Sequence, residues 1–584
     1  MPSYEIVIHG GTVIDGTGAP RQEADLGIRD GVIAKIEKSG KIAPSEGALA
    51  IDAAGQIVAP GVIDPHTHYD AQVHWDPYCT NSGWHGVTTV GVGNCGFGFA
   101  PCPPELRERY MRMMENTEQV PYGAMKRALA WDWVTYPEWV ERMKRKPKGL
   151  NLASYLPLNS LLIYVMGIEA AKSRPATEAE RARMRALLHE AMDHGAIGFG
   201  FSYLQRFNSH KDVDGSPMPT DSMAIEEAYN LADVLRERDE GVIQALCELP
   251  GGVDNHGVAE ELARRSGRPV LHNVVAAFDA MPELHRKVLR WLDEMQAKGL
   301  EIYSQTLCFR AWNEVKIADY NAWDFIPELL ELSIAKGVAA KIDKAKDPAW
   351  RARVKAVYSP EAMFAAGGMF ETWMLTDAYG AAAYSRYERR LLGEVAAERG
   401  EHVVDVLFDI AVASDLQADF RQTDAVSQDP VKALEIMRHP RVLAGTSDGG
   451  AHVKFYTGGH FSTDVIMWLA RETNEMTLEE LHHKLSSVAA RAMRLQKRGE
   501  LREGWAADLY VYDYERIGYD RRRYQVSYDL PGGDWRRTAP AQGISWIVVN
   551  GVATFRNNNC QGTTPGRLLA NGGEERDRQL ALAS

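Results

Sequence analysis

The sequence predicts an α/β architecture of (β/α)8 barrel (TIM) type, and three observations predict it. Eight apolar β-type segments recur along the chain, near 57–64, 87–93, 151–157, 196–203, 241–247, 268–275, 300–307 and 441–447, and runs apolar on both faces fit buried parallel strands. Amphipathic helical stretches separate several of them, clearest at 176–194, 222–238 and 283–298. Side chains able to hold a metal gather where these strands end, the mouth at which such a barrel displays its chemistry. An α/β sheet that does not close is the alternative this count leaves open.

Taken in order, residues 4–14 and 25–37 alternate apolar and polar side chains between glycines and an Asp-Gly turn, the pattern of short strands joined by tight turns. Residues 507–513 and 544–555 read the same way, so the two ends of the chain are expected to share one small sheet. The expected division is 1–56, 57–495 for the barrel and 496–584. Between the seventh and eighth strands, about 310–440 is too long for a connection and must hold insertions with their own helices, around 401–413 and 429–438. Residues 476–495 read as a helix opened by Thr477 and Glu480 in capping-box spacing.

Composition narrows the partners. The chain has 584 residues, 66 basic and 79 acidic, for a net charge of −13, which argues against nucleic acid and anionic membrane as ligands. With 45% hydrophobic and 25% charged residues it is an ordinary globular sequence. Glu5 inside the first apolar run argues against a secretory signal, and no apolar run approaches a membrane span. Six scattered cysteines make no disulfide framework, so a reducing cytoplasm is expected. Self-association as a homo-oligomer is compatible with this composition.

The strongest motif is Asp64-Pro-His66-Thr-His68-Tyr-Asp70, directly after the first buried strand. Residues i and i+2 of a strand share a face, so two imidazoles can converge on one ion. Asp448, in Gly445-Thr-Ser-Asp-Gly-Gly-Ala-His452, ends the eighth strand, the neighbour of the first in a closed barrel. It can ligate the same ion or take a proton from water, or it is a helix-cap or turn residue. Cys95, in Asn94-Cys-Gly96 after the second strand, is either a thiolate ligand or an inert buried thiol. His272 on the sixth strand is a further ligand or a structural histidine. His210, His452 and His460 lie on loops expected to face the mouth and are candidates for substrate contact or proton transfer. No dinucleotide fingerprint, Walker loop, Gly-X-Ser-X-Gly elbow or two-cysteine zinc ribbon is present.

These segments, IVIHGGTVIDGTGAP, APGVIDPHTHYD, GVTTVGVGNCGFGFAP, TSDGGAH and the late GWAADLYVYD, resemble the amidohydrolase superfamily, and the Asn-Cys-Gly loop its N-acyl-D-amino-acid deacylase branch. The resemblance runs in order over nearly the whole chain. It implies a metal-bearing TIM barrel with a small β-sandwich built from both termini. It also implies that His66, His68, Cys95, His272 and Asp448 are metal ligands, with Asp448 as general acid and base. Two departures stand out. The branch's strand-five histidine is missing from Val242-Ile-Gln244-Ala-Leu-Cys247, where Gln244 or Cys247 would have to substitute, and its strand-six Ser-His-X-Lys reads Leu271-His272-Asn273-Val274.

One zinc ion is therefore favoured over two, and Arg310 is the candidate to replace the missing lysine toward a substrate carboxylate, with Gln244, His210 and His452 as further substrate contacts. The expected reaction is hydrolysis of an amide C–N bond in a small N-acyl amino acid or related N-acyl compound, by water activated at the metal. Hydrolysis of a cyclic amide or imide on the same site is the alternative. A barrel without metal, acting as a binding or scaffold protein, is the alternative from another class.

Overall fold

Eight parallel strands carry the eight segments read from the sequence, in a computed structural model that describes residues 2–571 apart from 209, 250–252, 255, 280, 364–365 and 423–425. Val62–Asp64, Val87–Val92 and Asn151–Ser154 lie side by side in one sheet. Leu156–Pro157, Gly198–Ser202, Val242–Leu246, Val270–Val275, Ile302–Thr306 and Val442–Ala444 follow in chain order in a second. The third strand serves both sheets, changing partner at Tyr155. Beyond the ends of the first and eighth strands, Thr67 and Gly449 form a parallel bridge, and His68 N donates to Gly449 O at 2.8 Å.

Alternation along these strands decides which side chains point inward. Ile63, Ala153, Tyr155, Ile197, Val242, Leu271, Tyr303 and Leu443 join one buried cluster, floored by Val488–Leu495. Two residues further along, Gln244, Asn273 and Gln305 occupy the same inward register above that apolar floor.

Both ends of the chain meet in a nine-stranded sheet, as the sequence anticipates. Leu509–Tyr512 lies antiparallel to Ile57–Pro60, which continues through Tyr4–Val13 and Gln22–Arg29 to Val32–Lys38. On the other side follow Ile544–Val549, Val552–Arg556 and Asn559–Cys560. The run read as one strand over 57–64 is thus two. Ile57–Pro60 belongs to the terminal sheet, Val62–Asp64 to the parallel one, and the chain crosses at Gly61, where a Cβ would stand 2.2 Å from Thr88 Oγ1. Leu568–Leu569 returns to pair in parallel with Asn151–Ser154. The end of the expected C-terminal unit, 572–584, lies outside the described residues.

The long insertion holds a three-stranded antiparallel sheet, Glu314–Lys316, Asp419–Arg421 and Met374–Asp377. Helices including Pro348–Val357 and Val403–Ala413 pack against it around Trp323, Trp350, Trp373 and Phe408. Pro430–Arg438 leads back to the eighth strand. The helix expected over 476–495 is present as Leu478–His482 and Val488–Ala492 joined by a π-helical turn, and both bonds of the Thr477–Glu480 capping box are made. Among the described residues no helix is long and apolar enough to cross a membrane.

Candidate metal centre and its cavity

At the C-terminal ends of the first and second parallel strands, His66, His68 and Cys95 bring ligand atoms within 4.8 Å of one another. His66 Nε2 lies 3.5 Å from Cys95 Sγ and 3.3 Å from Asp448 Oδ1, and His68 Nε2 lies 3.8 Å from the same carboxylate oxygen. The bridge between Thr67 and Gly449 holds the two loops at this spacing. Two imidazoles, one thiol and one carboxylate make the mixed nitrogen, sulfur and oxygen donor set that suits zinc.

The surroundings aim these ligands. His66 Nδ1 lies 2.8 Å from Gln305 Oε1, so with Nε2 given to an ion the proton sits on Nδ1 and the amide oxygen receives it. The Asn273 amide packs against the same nitrogen at 2.9 Å. Gln244 Oε1 accepts from Cys95 N at 2.7 Å, and Gln244 Nε2 donates to Asn273 Oδ1 at 3.3 Å. Beneath, buried Asp64 accepts from His66 N and from the Ser447 hydroxyl, and burial pushes its carboxyl up to about 7.

Cys95 (φ 54°), Asp448 (φ 48°) and His452 (φ 53°) all sit in the left-handed region. That backbone costs a non-glycine residue about 1–3 kcal/mol and collects at functional sites.

Burial and the adjoining imidazoles hold the His68 pKa well below its ordinary value, keeping the ring neutral. Burial pushes the Cys95 thiol up, and the carboxylates of Glu118 and Asp448 add to it. A divalent cation reverses that balance, because it favours the thiolate it binds.

A cavity of about 360 Å³ opens from this centre, within the size of small-molecule sites. Asp448, His210, His452, Tyr456, Trp312 and Asn313 are among its walls. His210 and His452 are thus both on the cavity wall. Behind them is a residue the sequence did not single out, Glu118, whose Oε1 is 3.9 Å from His210 Nε2 and whose Oε2 is 3.6 Å from His452 Nε2. Burial, then the charges of Asp448 and Asp70, push its carboxyl well above the usual range.

The other expected residues are placed differently. His272 is on the outward face of its strand. Its Nδ1 lies 3.1 Å from Ser304 Oγ and its Nε2 3.3 Å from Glu248, which also meets His256 at 2.6 Å. The inward position beside it is Asn273, so His272 is not brought to His66 and Cys95. Gln244 reaches the centre through the Cys95 backbone, and Cys247 lies outside the metal-competent groups found among the described residues. Arg310 is buried in ion pairs with Asp464, at 3.0 Å, and Glu472, and is not free to meet a substrate. His460 is fully buried beside Tyr519 and is not among the cavity's walls.

Residues missed in the sequence are Glu118, Asn273, Gln305 and Tyr456. Asn273 and Gln305 share the inward face with Gln244 through the strand pairing, a register that the sequence does not state. Nothing marks Glu118, the last residue of the helix Arg107–Glu118, as different from a surface charge.

Comparison with known proteins gives the chain's relatives. The chain is 27% identical over 573 residues to the N-acyl-D-aspartate deacylase of Alcaligenes xylosoxydans xylosoxydans, covering 97% of this chain and 95% of that protein. To the D-aminoacylase of the same organism it is 25% identical over 569 residues, covering 97% and 98%. Its fold is similar to that of the N-acyl-D-glutamate deacylase of Bordetella bronchiseptica, solved with zinc and a phosphonate inhibitor (TM-score 0.62, 22% identity, 97% of this chain and 100% of that one). Residues 49–535 match the Amidohydrolase family, and with that span covering most of the sequence, the chain belongs to this family.

Proposed function

We propose that the protein is a zinc-dependent hydrolase of the amide C–N bond in an N-acyl D-amino acid or a related N-acyl compound. The observation that carries this reading is the convergence of His66, His68, Cys95 and Asp448 on one point at the edge of the cavity. The relatives' activities support the choice of bond. In this reading the parallel strands close as a (β/α)8 barrel from about Gly61 to 495, and the two chain ends form a small β-sandwich beside it. Six scattered cysteines, none disulfide-bonded among the described residues, support a reducing cytoplasm as the protein's location.

Zinc held by His66, His68, Cys95 and Asp448 would supply Lewis-acid polarisation of the carbonyl and make water nucleophilic at neutral pH. Asp448 takes the proton of the attacking water and returns it to the leaving nitrogen, so one carboxylate serves both steps. Tyr456 lines the cavity with a hydroxyl that has no hydrogen-bond partner among the described residues, and burial keeps that hydroxyl protonated, a donor for the developing oxyanion. Gln305 orients the His66 ring by accepting from Nδ1. The insertion contributes Trp312, Asn313, Asn321 and Ala322 to the cavity wall, so it sets which acyl group fits.

The test pairs metal content by plasma mass spectrometry with amine release from N-acyl D- and L-amino acids and from cyclic amides. Amine release from the N-acyl D compounds, and an Asp448→Asn variant that keeps zinc while turnover falls about 10²–10⁴-fold, are expected. Near-normal turnover in Asp448→Asn, or hydrolysis of the cyclic amides alone, overturns the reading.

A further inference from the structure

The cluster of Glu118, His210 and His452 is a separate set of donors on the cavity wall. Glu118 is fully buried and neither carboxylate oxygen has a hydrogen-bond partner among the described residues. No lysine or arginine is among the cavity's described walls, and three imidazoles, His452, His210 and His68, stand within 3.9 Å of those oxygens. A carboxylate in that position is costly unless a cation or a proton neutralises it.

The donor atoms are already gathered. One ligand atom from each residue lies within 4.8 Å of the others. The Glu118 oxygens face His210 Nε2 at 3.9 Å and His452 Nε2 at 3.6 Å. Around zinc, bonds of about 2.0–2.2 Å put neighbouring tetrahedral ligands roughly 3.3–3.5 Å apart, so the pairs at 3.9 and 3.6 Å need to close by a few tenths of an ångström and no pair by more than about 1.5 Å. Two imidazoles and one carboxylate with an open side are also the donor count of an open zinc site rather than a sealed structural one. The open side here is the cavity, because His210 and His452 are among its walls and Glu118 lies behind them.

We propose that Glu118, His210 and His452 form a second divalent-cation site, separate from the His66–His68–Cys95–Asp448 centre. The site takes zinc or a similar borderline metal and offers its open coordination position to an oxygen of whatever occupies the cavity. Glu118 also stands 3.9 Å from His68 Nδ1, a nitrogen with no hydrogen-bond partner. The two sites are thus neighbours through one imidazole, and filling one will be felt by the other.

The sites can be told apart because only one contains sulfur. Metal-depleted full-length protein is titrated with cobalt(II), following absorbance, and the metal retained after gel filtration is counted by mass spectrometry. The expected result is two ions per chain, one giving a sulfur-to-cobalt charge-transfer band that Cys95→Ala abolishes, the other giving none. Glu118→Gln, and independently a His210→Asn/His452→Asn pair, should each lower the count from two to one and leave the charge-transfer band in place. The double variant keeps the test alive if the buried Glu118 substitution fails to fold.

Saturation of the wild type at one ion overturns the second site and leaves the first standing. Two ions retained in both variants also overturns it, because the second ion then lies elsewhere. No metal and no charge-transfer band in the wild type overturns the hydrolase reading as well.

Discussion

Gln305 and Asn273 show how much of a metal centre is decided by side chains that need never touch the ion. Both abut His66 Nδ1, and Gln305 fixes which nitrogen keeps its lone pair. Replacing Gln305 with Leu should weaken zinc retention about 10–100-fold at unchanged fold, the usual cost of losing such a partner; competition with a chelator measures it, and unchanged retention refutes the role. The His66 pair, Cys95 and Asp448 were legible in the sequence because each is a metal-binding type at the end of a buried strand. His272 was legible as a residue type but misleading as a position. A shift of one along a strand reverses the face, and the sequence around Leu271-His272-Asn273 does not say which of the two looks inward. Glu118 had no signature at all, since what sets it apart is the absence of a partner in three dimensions.

The element scale is where capping and close approach act. The Thr477 hydroxyl accepts from Glu480 N at 3.2 Å, and Glu480 accepts from Thr477 N at 2.8 Å. Thr477→Ala should cost about 1 kcal/mol, seen as a lower urea midpoint with activity intact; an unchanged midpoint means the following helix is held by packing alone. Gly61→Ala should be worse, because the added methyl meets Thr88 within the crossing between two sheets, and a double variant with Thr88→Ala should recover part of the loss. The strands and helices themselves were largely readable from apolar runs and from the Thr-X-X-Glu spacing. The break at Gly61 was not, because an apolar run of seven, Ile57 to Ile63, looks the same whether it serves one sheet or two.

For the molecule as a whole, buried titratable groups tie stability to pH, and buried histidines are the part of this that acid works against. Burial holds His85 and His482 down to about 3, and the neutral ring of His85 is paired at both nitrogens, that of His482 at one. His85 is 2.7 Å from both Thr463 Oγ1 and Ala539 O, and His482 Nε2 is 2.8 Å from the Tyr512 hydroxyl. Their ordinary pKa is about 6.5, so between that pH and about 3 the unfolded chain binds protons that the folded one refuses. Each of these histidines therefore takes away roughly 1.4 kcal/mol of stability per pH unit as pH falls through this window, while buried carboxyls raised to about 7, such as Asp64, act in the opposite sense. Urea midpoints at pH 7.5 and 5.5 for wild type and His85→Gln test this: relative to its own pH 7.5 value the variant should fare better at pH 5.5 than the wild type does, and equal changes contradict it. The eight-unit repeat and the meeting of the two chain ends were readable because both are patterns of burial. The shape of the insertion was not, because its aromatic core at Trp323, Trp350 and Trp373 forms from residues whose contacts no period announces.

That meeting of the ends sets a schedule for the protein's birth. Ile57–Pro60 receives its partner on one side only when Leu509–Tyr512 is made, after the whole parallel-strand region has been translated. At about 5–20 residues per second the nascent chain carries that bare strand edge for tens of seconds. A chain released early never covers it, and an uncovered apolar edge is a template for pairing with another copy. Truncation products that stop short of Leu509 should therefore appear in the insoluble fraction even where the metal-binding strands are complete.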